Sequence, residues 1–195
     1  MFDLDCFIAE RRAAVSLDPT HKSVREIVAR AVSEPTAVIA GLGAPARAEV
    51  QKLYNPPELT SLNVIWGPGM TITPHNHLMW AVIGIYTGRE DNIFWRRLPG
   101  KGGAHIEAAG AKSLGERDVE ALGRDIIHTV TNPLPRFTGA IHVYGGDSFA
   151  ALAANGIRKR CSNNRSTWRK TCDCSNPSRL ELTALRCRVL DTVRT

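Results

Sequence analysis

Apolar positions recur at helical spacing in the first part of the chain and give way to short apolar runs in the middle. Between residues 3 and 33 the helical spacing predicts two amphipathic helices. Their apolar positions include Phe7, Ile8, Ala14, Val15, Val24, Ile27, Val28 and Ala31. The Asp18–Pro19–Thr20 segment predicts the end of the first helix and a cap for the second. Pro35 either ends the second helix or begins a short third segment through Ala46.

From Glu58 onwards, short apolar runs are separated by clusters of Gly, Pro and Asn, which predicts β-strands joined by turns. The predicted strands are Leu59–Trp66, Leu78–Tyr86, Asp91–Arg97, Ile126–Thr131 and Thr138–Tyr144, with a loop at Gly100–Gly103. Many short strands with little helix between them favour an antiparallel sandwich or barrel of the jelly-roll type. The expected organisation is a helical segment over 1–50 packed on a β-barrel over 51–150, followed by a tail over 151–195.

Charge and cysteine content set the tail apart from the rest of the chain. The formal net charge is +6, but residues 151–195 contain ten Lys or Arg and three Asp or Glu, so the excess lies there. Four of the five cysteines are also in the tail, whereas all six histidines precede it. A nucleic-acid arm, a zinc site, a poorly ordered extension and a change of reading frame near residue 150 all remain open. Specific nucleic-acid binding is not expected, because a basic tail binds polyanions without specificity.

Targeting signals are not evident in the sequence. No apolar run approaches the ~20 residues that span a bilayer. The first 15 residues do not have the basic start, apolar core and cleavage site of a secretory signal. We therefore expect a cytoplasmic protein that does not contact membranes.

Two histidines one residue apart are the most informative feature of the sequence. His75 and His77 follow Gly67-Pro68-Gly69 and precede the apolar run Leu78–Tyr86. On an extended strand, residues i and i+2 point to the same side, so the two imidazoles are predicted to project together. Such a pair forms half of a metal site. The alternative is a surface pair or a hydrogen-bonded core histidine.

Two further strands supply candidate groups for the same site. His128, on the strand Ile126–Thr131, is the best candidate for a third metal ligand. His142 and Tyr144 are again i and i+2, so they are predicted to share a face and to enter the same cavity. The alternative is a half-buried His and Tyr bonded to backbone. Trp80 and Arg89 are weaker candidates for substrate contacts, and Arg89 with Glu90 is expected to form an exposed ion pair.

These motifs resemble the cupin superfamily over roughly residues 50–150. Gly69, His75, His77 and Gly88 fit the spacing of the first cupin motif, although its Glu position falls on Ala81 or Val82. Three residues fit the second motif with a longer gap, namely Gly123, His128 and Asn132. The resemblance implies a mainly β fold, the cupin double-stranded β-helix or jelly-roll barrel, here with N-terminal helices.

Loss of the motif's Glu makes the site similar to the three-histidine thiol dioxygenases of the cysteine dioxygenase type. The resemblance implies that His75, His77 and His128 hold Fe(II), with His142 and Tyr144 as catalytic residues near it. The chain departs from that family at two positions: Val82 stands where mammalian-type members have a crosslinking Cys, and Ala140 where the family has Ser. The arginine that binds the substrate carboxylate cannot be placed by spacing.

Three functions remain open on the sequence. The first is an Fe(II)-dependent dioxygenase that oxidises a small thiol to a sulfinic acid with O2. The second is another cupin enzyme that acts on a carbon-centred substrate, and the third is a non-catalytic metal- or ligand-binding cupin. Imidazole ligands alone do not name the metal, so Zn, Ni or Mn are alternatives to iron.

Overall fold

The protein is described by a computed structural model that covers residues 2–99 and 105–150. The predictions for the Gly100–Gly103 loop and for the 151–195 tail lie outside the described residues. No helix of the described segments is both long enough and apolar enough to cross a bilayer.

Three helices precede the strands: α1 Leu4–Leu17, α2 Lys22–Val32 and α3 Pro35–Leu42. The first two confirm the apolar spacing, and α3 decides for the alternative in which Pro35 begins a third segment. Asp3 caps α1, because its carboxylate accepts a hydrogen bond from the Cys6 N–H at 2.9 Å. The segment predicted to cap α2 does contact its first turn, because the Thr20 hydroxyl accepts a hydrogen bond from the Lys22 N–H at 3.4 Å. His21, the residue before α2, makes no side-chain cap bond. The Asp18 carboxylate accepts hydrogen bonds from the Thr20 N–H and hydroxyl within its own turn.

Nine strands follow the helices. They are β1 Glu49–Tyr54, β2 Thr60–Trp66, β3 Thr71–His75, β4 Ala81–Thr87, β5 Arg89–Arg97, β6 Ile106–Gly115, β7 Val119–Leu122, β8 Ile127–Thr131 and β9 Thr138–Tyr144. All five predicted strands are present. The four that were not predicted, β1, β3, β6 and β7, do not have a continuous apolar run. Most of the β6 side chains are exposed, so burial could not have revealed that strand in the sequence.

The strands form two antiparallel sheets, ordered β1-β2-β9-β4-β7 and β3-β8-β5-β6. From β2 to β5, consecutive strands alternate between the two sheets, and they do so again from β6 to β9. This order is that of a jelly roll, a double-stranded β-helix whose two sheets enclose a common interior. The fold is therefore mainly β, with N-terminal helices, as expected from the sequence.

Each face of the five-stranded sheet packs against a different layer. The interior cluster, between the two sheets, contains Leu62, Val64, Trp66, Ile72, Ala81, Ile83, Ile85, Leu114, Leu122, Val130, Ala140 and Tyr144. The helix-side cluster, between this sheet and the helices, contains Phe7, Val24, Val28, Val32, Val38, Leu59, Val82, Tyr86, Ile141 and Val143. Because both faces are covered, β2, β4 and β9 are buried along almost their whole length.

Substituting Gly84 with alanine is expected to destabilise the fold by about 1–3 kcal/mol, because it overpacks the contact between β4 and α2. A Cβ atom on Gly84 would lie 2.5 Å from Val28 Cγ1 and 3.0 Å from Val32 Cγ1. Urea unfolding measures the change. Gly110→Ala is the matched control, because a Cβ atom there meets nothing within 4 Å. Equal stability of the two variants would show that α2 does not pack closely on this strand.

Candidate functional site

Two of the predicted metal ligands face each other across neighbouring strands. His75 is the last residue of β3 and pairs with His128 of β8. Residues directly opposite in an antiparallel pair lie on the same face of the sheet. The two rings accordingly lie 4.5 Å apart between centroids, and both side chains are buried.

His77 joins this pair by a different route from the one predicted. The strand ends at His75 and the next begins at Ala81, so His75 and His77 do not lie on one continuous strand. The predicted strand start at Leu78 is also wrong, because Leu78 has a φ of 59° and is exposed. The loop nevertheless brings the His77 ring to 5.0 Å from the His75 ring, between centroids. Its Nε2 atom lies 3.0 Å from Nε2 of His128.

Burial keeps the three imidazoles neutral. Desolvation lowers the pKa of His75 to about 4, and it holds the pKa values of His77 and His128 well below their usual range. Nδ1 of His75 donates to the Thr73 carbonyl at 3.0 Å, and Nδ1 of His128 donates to Asn92 Oδ1 at 2.8 Å. These bonds place the proton of each ring on Nδ1, so that Nε2 of each ring carries a lone pair, which in His128 faces Nε2 of His77.

The predicted pair on β9 adjoins the three histidines. His142 pairs with Leu62 on one side and Ile83 on the other, and both partners belong to the interior cluster. Tyr144 shares this face, and its hydroxyl lies 3.0 Å from His142 Nδ1. The Tyr144 ring is 4.9 Å from the His77 ring, between centroids. Burial raises the pKa of Tyr144, so the phenol is protonated.

A buried carboxylate that was not predicted completes the interior polar groups. The predicted exposed ion pair between Glu90 and Arg89 is wrong. The Glu90 side chain is fully buried, accepts a hydrogen bond from Trp66 Nε1 and lies 3.3 Å from His142 Nε2. Alternation along β5 could have revealed it, because Glu90 lies two and four residues before the interior positions Asn92 and Phe94.

Comparison with known proteins adds the following. No family profile matches the sequence. An RmlC-like cupin protein from Methanocaldococcus jannaschii has 12% identity and a TM-score of 0.43, over 55% of this chain and 86% of that one. A cupin superfamily protein from Desulfitobacterium hafniense has 12% identity and a TM-score of 0.43, over 54% and 86%. Oxalate decarboxylase from Bacillus subtilis has 18% identity and a TM-score of 0.38, over 48% of this chain and 22% of that one.

The order of the strands in the two sheets decides the fold. This chain has the double-stranded β-helix fold. Within it, the three histidines converge at the end of the barrel where β3 and β8 meet the loop before β4.

The donor atoms of the three histidines fit a divalent metal ion. One ring nitrogen from each of His75, His77 and His128 lies within 4.8 Å of the others, and no carboxylate of the described residues joins the group. Neutral imidazoles present lone pairs, the form in which histidine binds metals. Nε2 of His128 faces Nε2 of His77 while its own proton is held on Nδ1 by Asn92. A cation shared by the rings would satisfy these lone pairs.

The interior between the two sheets does not include the two weaker candidates for substrate contacts. Arg89 is exposed at the start of β5 and pairs with Asp91 at 2.7 Å. Trp80 packs against the helix-side cluster, and its Nε1 donates to the Pro19 carbonyl at 3.1 Å. Neither side chain is brought to the histidine cluster. The two remaining histidines also lie elsewhere: His105 is exposed and His21 is at the start of α2.

Proposed function

We propose that this cupin is an Fe(II)-dependent dioxygenase that oxidises a small thiol to a sulfinic acid with O2. The observation that carries the proposal is a donor set made only of imidazoles, with the hydroxyl of Tyr144 held beside it by His142. His75, His77 and His128 would hold the iron. When bound, Fe(II) supplies positions for a thiolate and O2 and the electrons that activate O2.

Charge explains why a thiol is the favoured substrate. Three neutral imidazoles leave the full +2 charge of the metal without compensation, because no carboxylate of the described residues belongs to the cluster. An uncompensated metal charge favours an anionic ligand, and coordination can deprotonate a thiol outright. A substrate that arrives as a thiol and binds as a thiolate meets this requirement.

Tyr144 and His142 are the residues placed to handle protons and orient the substrate. The Tyr144 hydroxyl lies in the buried interior next to His77, and its hydrogen bond to His142 fixes its direction. Ala81 of β4 pairs with Tyr144 of β9, and its side chain adds only a methyl group to the interior beside Tyr144. A small substrate next to the iron would therefore meet the Tyr144 hydroxyl, with room left by the small side chain of Ala81.

Oxygen uptake tests the proposal. Protein purified without oxygen and reconstituted with Fe(II) is assayed against cysteine, mercaptopropionate, cysteamine and mercaptosuccinate, and the product is identified by mass spectrometry. We expect uptake coupled to sulfinate formation, and its loss in His75→Ala. Stoichiometric iron without uptake with any thiol would contradict the proposal and favour a carbon-centred substrate or a binding role.

Within this panel, kcat/KM for thiols that carry a carboxylate is expected to exceed kcat/KM for cysteamine by no more than a few-fold. Arg11 is the one buried arginine of residues 2–99 and 105–150. It belongs to α1, and its guanidinium bonds the Phe7 carbonyl and Ser61. No guanidinium of these residues therefore reaches the interior to pair with a carboxylate. The measurement is kcat/KM by oxygen uptake. If kcat/KM for mercaptopropionate exceeded that for cysteamine by more than about 10²-fold, a cation would have to lie in the site, since a buried ion pair accounts for differences of that size.

A further inference from the structure

Glu90 is a buried acidic group to which the proposed function gives no role. Its side chain is fully enclosed, in the interior face of β5. One carboxylate oxygen accepts from Trp66 Nε1 and lies 3.3 Å from His142 Nε2. The other oxygen has no hydrogen-bond partner among the described residues. Burying a carboxylate is costly unless it is paired, so its position beside an imidazole calls for a physical explanation.

Glu90 is the third group of a linear chain. The Tyr144 hydroxyl lies 3.0 Å from Nδ1 of His142, and the carboxylate lies 3.3 Å from Nε2 of the same ring. A carboxylate accepts hydrogen bonds, so the neutral ring carries its proton on Nε2 and presents a lone pair on Nδ1. Tyr144 then donates its hydroxyl proton to Nδ1. The chain has the order of groups found in a hydroxyl–imidazole–carboxylate triad.

We propose that Glu90 is a positioning residue that holds His142 in the Nε2–H tautomer, so that Tyr144 and His142 together take up the proton of the substrate thiol. The thiol proton passes to the Tyr144 oxygen while the original phenol proton passes to His142 Nδ1. One S–H and one O–H bond break, one O–H and one N–H bond form, and no electrons are transferred. The resulting imidazolium lies beside the Glu90 carboxylate, which offsets its charge. The thiol as proton source rests on the proposed function, but the tautomer does not.

β5 would then position groups on both sides of the site. Asn92, two residues after Glu90, orients His128 through the 2.8 Å bond to its Nδ1. Glu90 orients His142 in the same way from the same face of the strand. Trp66 supports this arrangement, because its indole N–H donates to Glu90 and limits the directions that the carboxylate can take.

Nitrogen NMR of the metal-free full chain, labelled with ¹⁵N-histidine, tests the tautomer without any activity. The His142 signals are assigned by their loss in His142→Asn. We expect Nε2 to carry the proton in the wild type and in Glu90→Gln, whose amide oxygen can still accept. We expect a mixture of tautomers or a proton on Nδ1 in Glu90→Ala. A wild-type proton on Nδ1, or an unchanged tautomer in Glu90→Ala, would overturn the proposal.

Kinetics of the iron-loaded chain test the proton transfer. Glu90→Gln keeps the hydrogen bond but removes the charge, so we expect kcat to fall by about 10²-fold with KM and iron content unchanged. Glu107→Gln is the control, because Glu107 pairs with Arg96 on the surface. Circular dichroism and thermal melting establish that each variant is folded. An unchanged kcat in a folded, iron-loaded Glu90→Gln would refute the role in proton transfer. If no thiol is oxidised even by the wild type, the proposed function fails while the NMR result still decides the tautomer.

Discussion

Alanine at position 128 is expected to weaken binding of Fe(II) by at least about 10²-fold and to abolish thiol oxidation. His128 contributes one of only three donor nitrogens, and its tautomer is fixed by Asn92 at 2.8 Å. Loss of an outer residue such as Asn92 typically lowers metal affinity by about 10–100-fold, so loss of a ligand costs more. Iron content after dialysis, together with titration of the metal-free protein, gives the size of the effect.

The exposed His105 provides the control for this measurement. His105→Ala is expected to retain full iron binding, because His105 lies outside the cluster. Asn92→Ala should give an intermediate loss of iron affinity. It leaves all three ligands in place but removes the hydrogen bond that orients the His128 ring. If His128→Ala retained one iron per chain, the assignment of the three histidines as ligands would be wrong.

Acidification from pH 7 to pH 4 is expected to destabilise the metal-free protein strongly. The folded state keeps His75 neutral down to a pKa of about 4, whereas the unfolded chain binds a proton near the ordinary value of 6.5. The unfolded state therefore binds more protons between these two values, and the free energy of unfolding falls as the pH falls. The difference between these two pKa values corresponds to a loss of roughly 3 kcal/mol in the free energy of unfolding for His75 alone. His77 and His128 act in the same direction, because burial also lowers their pKa values.

Urea unfolding at a series of pH values measures this dependence. His75→Gln removes one titrating group and should reduce the loss of stability between pH 6.5 and pH 4, whereas His105→Gln should leave it as in the wild type. A free energy of unfolding that does not change across this window would mean that the imidazoles are accessible to solvent in the metal-free state.

The sequence was sufficient to predict the parts of the fold that depend on periodic burial. The valines of α2 point to one side, and the short apolar runs that predicted β2, β4 and β9 coincide with strands that are buried along almost their whole length. The motif glycines were also informative. Gly69 and Gly88 have φ values of 65° and 83°, which few other residues adopt without strain.

The parts that were not predicted depend on contacts between distant residues. The path of the chain through Leu78 could not be read from apolar residues, because a loop beside a site can be as apolar as a strand. Glu90 follows Arg89 in sequence, and the adjacent opposite charges suggested an exposed pair. In the structure, successive side chains of β5 point to opposite faces, so Arg89 points outwards and Glu90 inwards. There the Glu90 carboxylate accepts a hydrogen bond from Trp66 and lies beside His142. Neither partner is near Glu90 in the sequence.

The two faces of β9 link the helices to the polar interior. Ile141 and Val143 belong to the same helix-side cluster as the valines of α2, while His142 and Tyr144 alternate with them on the opposite face. Side chains on both faces of a strand are attached to the same backbone. A small shift of the helices that displaces β9 would therefore also move the Tyr144 phenol and the His142 imidazole. The N-terminal helices are thus connected to the site through β9, and substitutions in α2 that touch no polar group are expected to alter the rate of the proposed reaction.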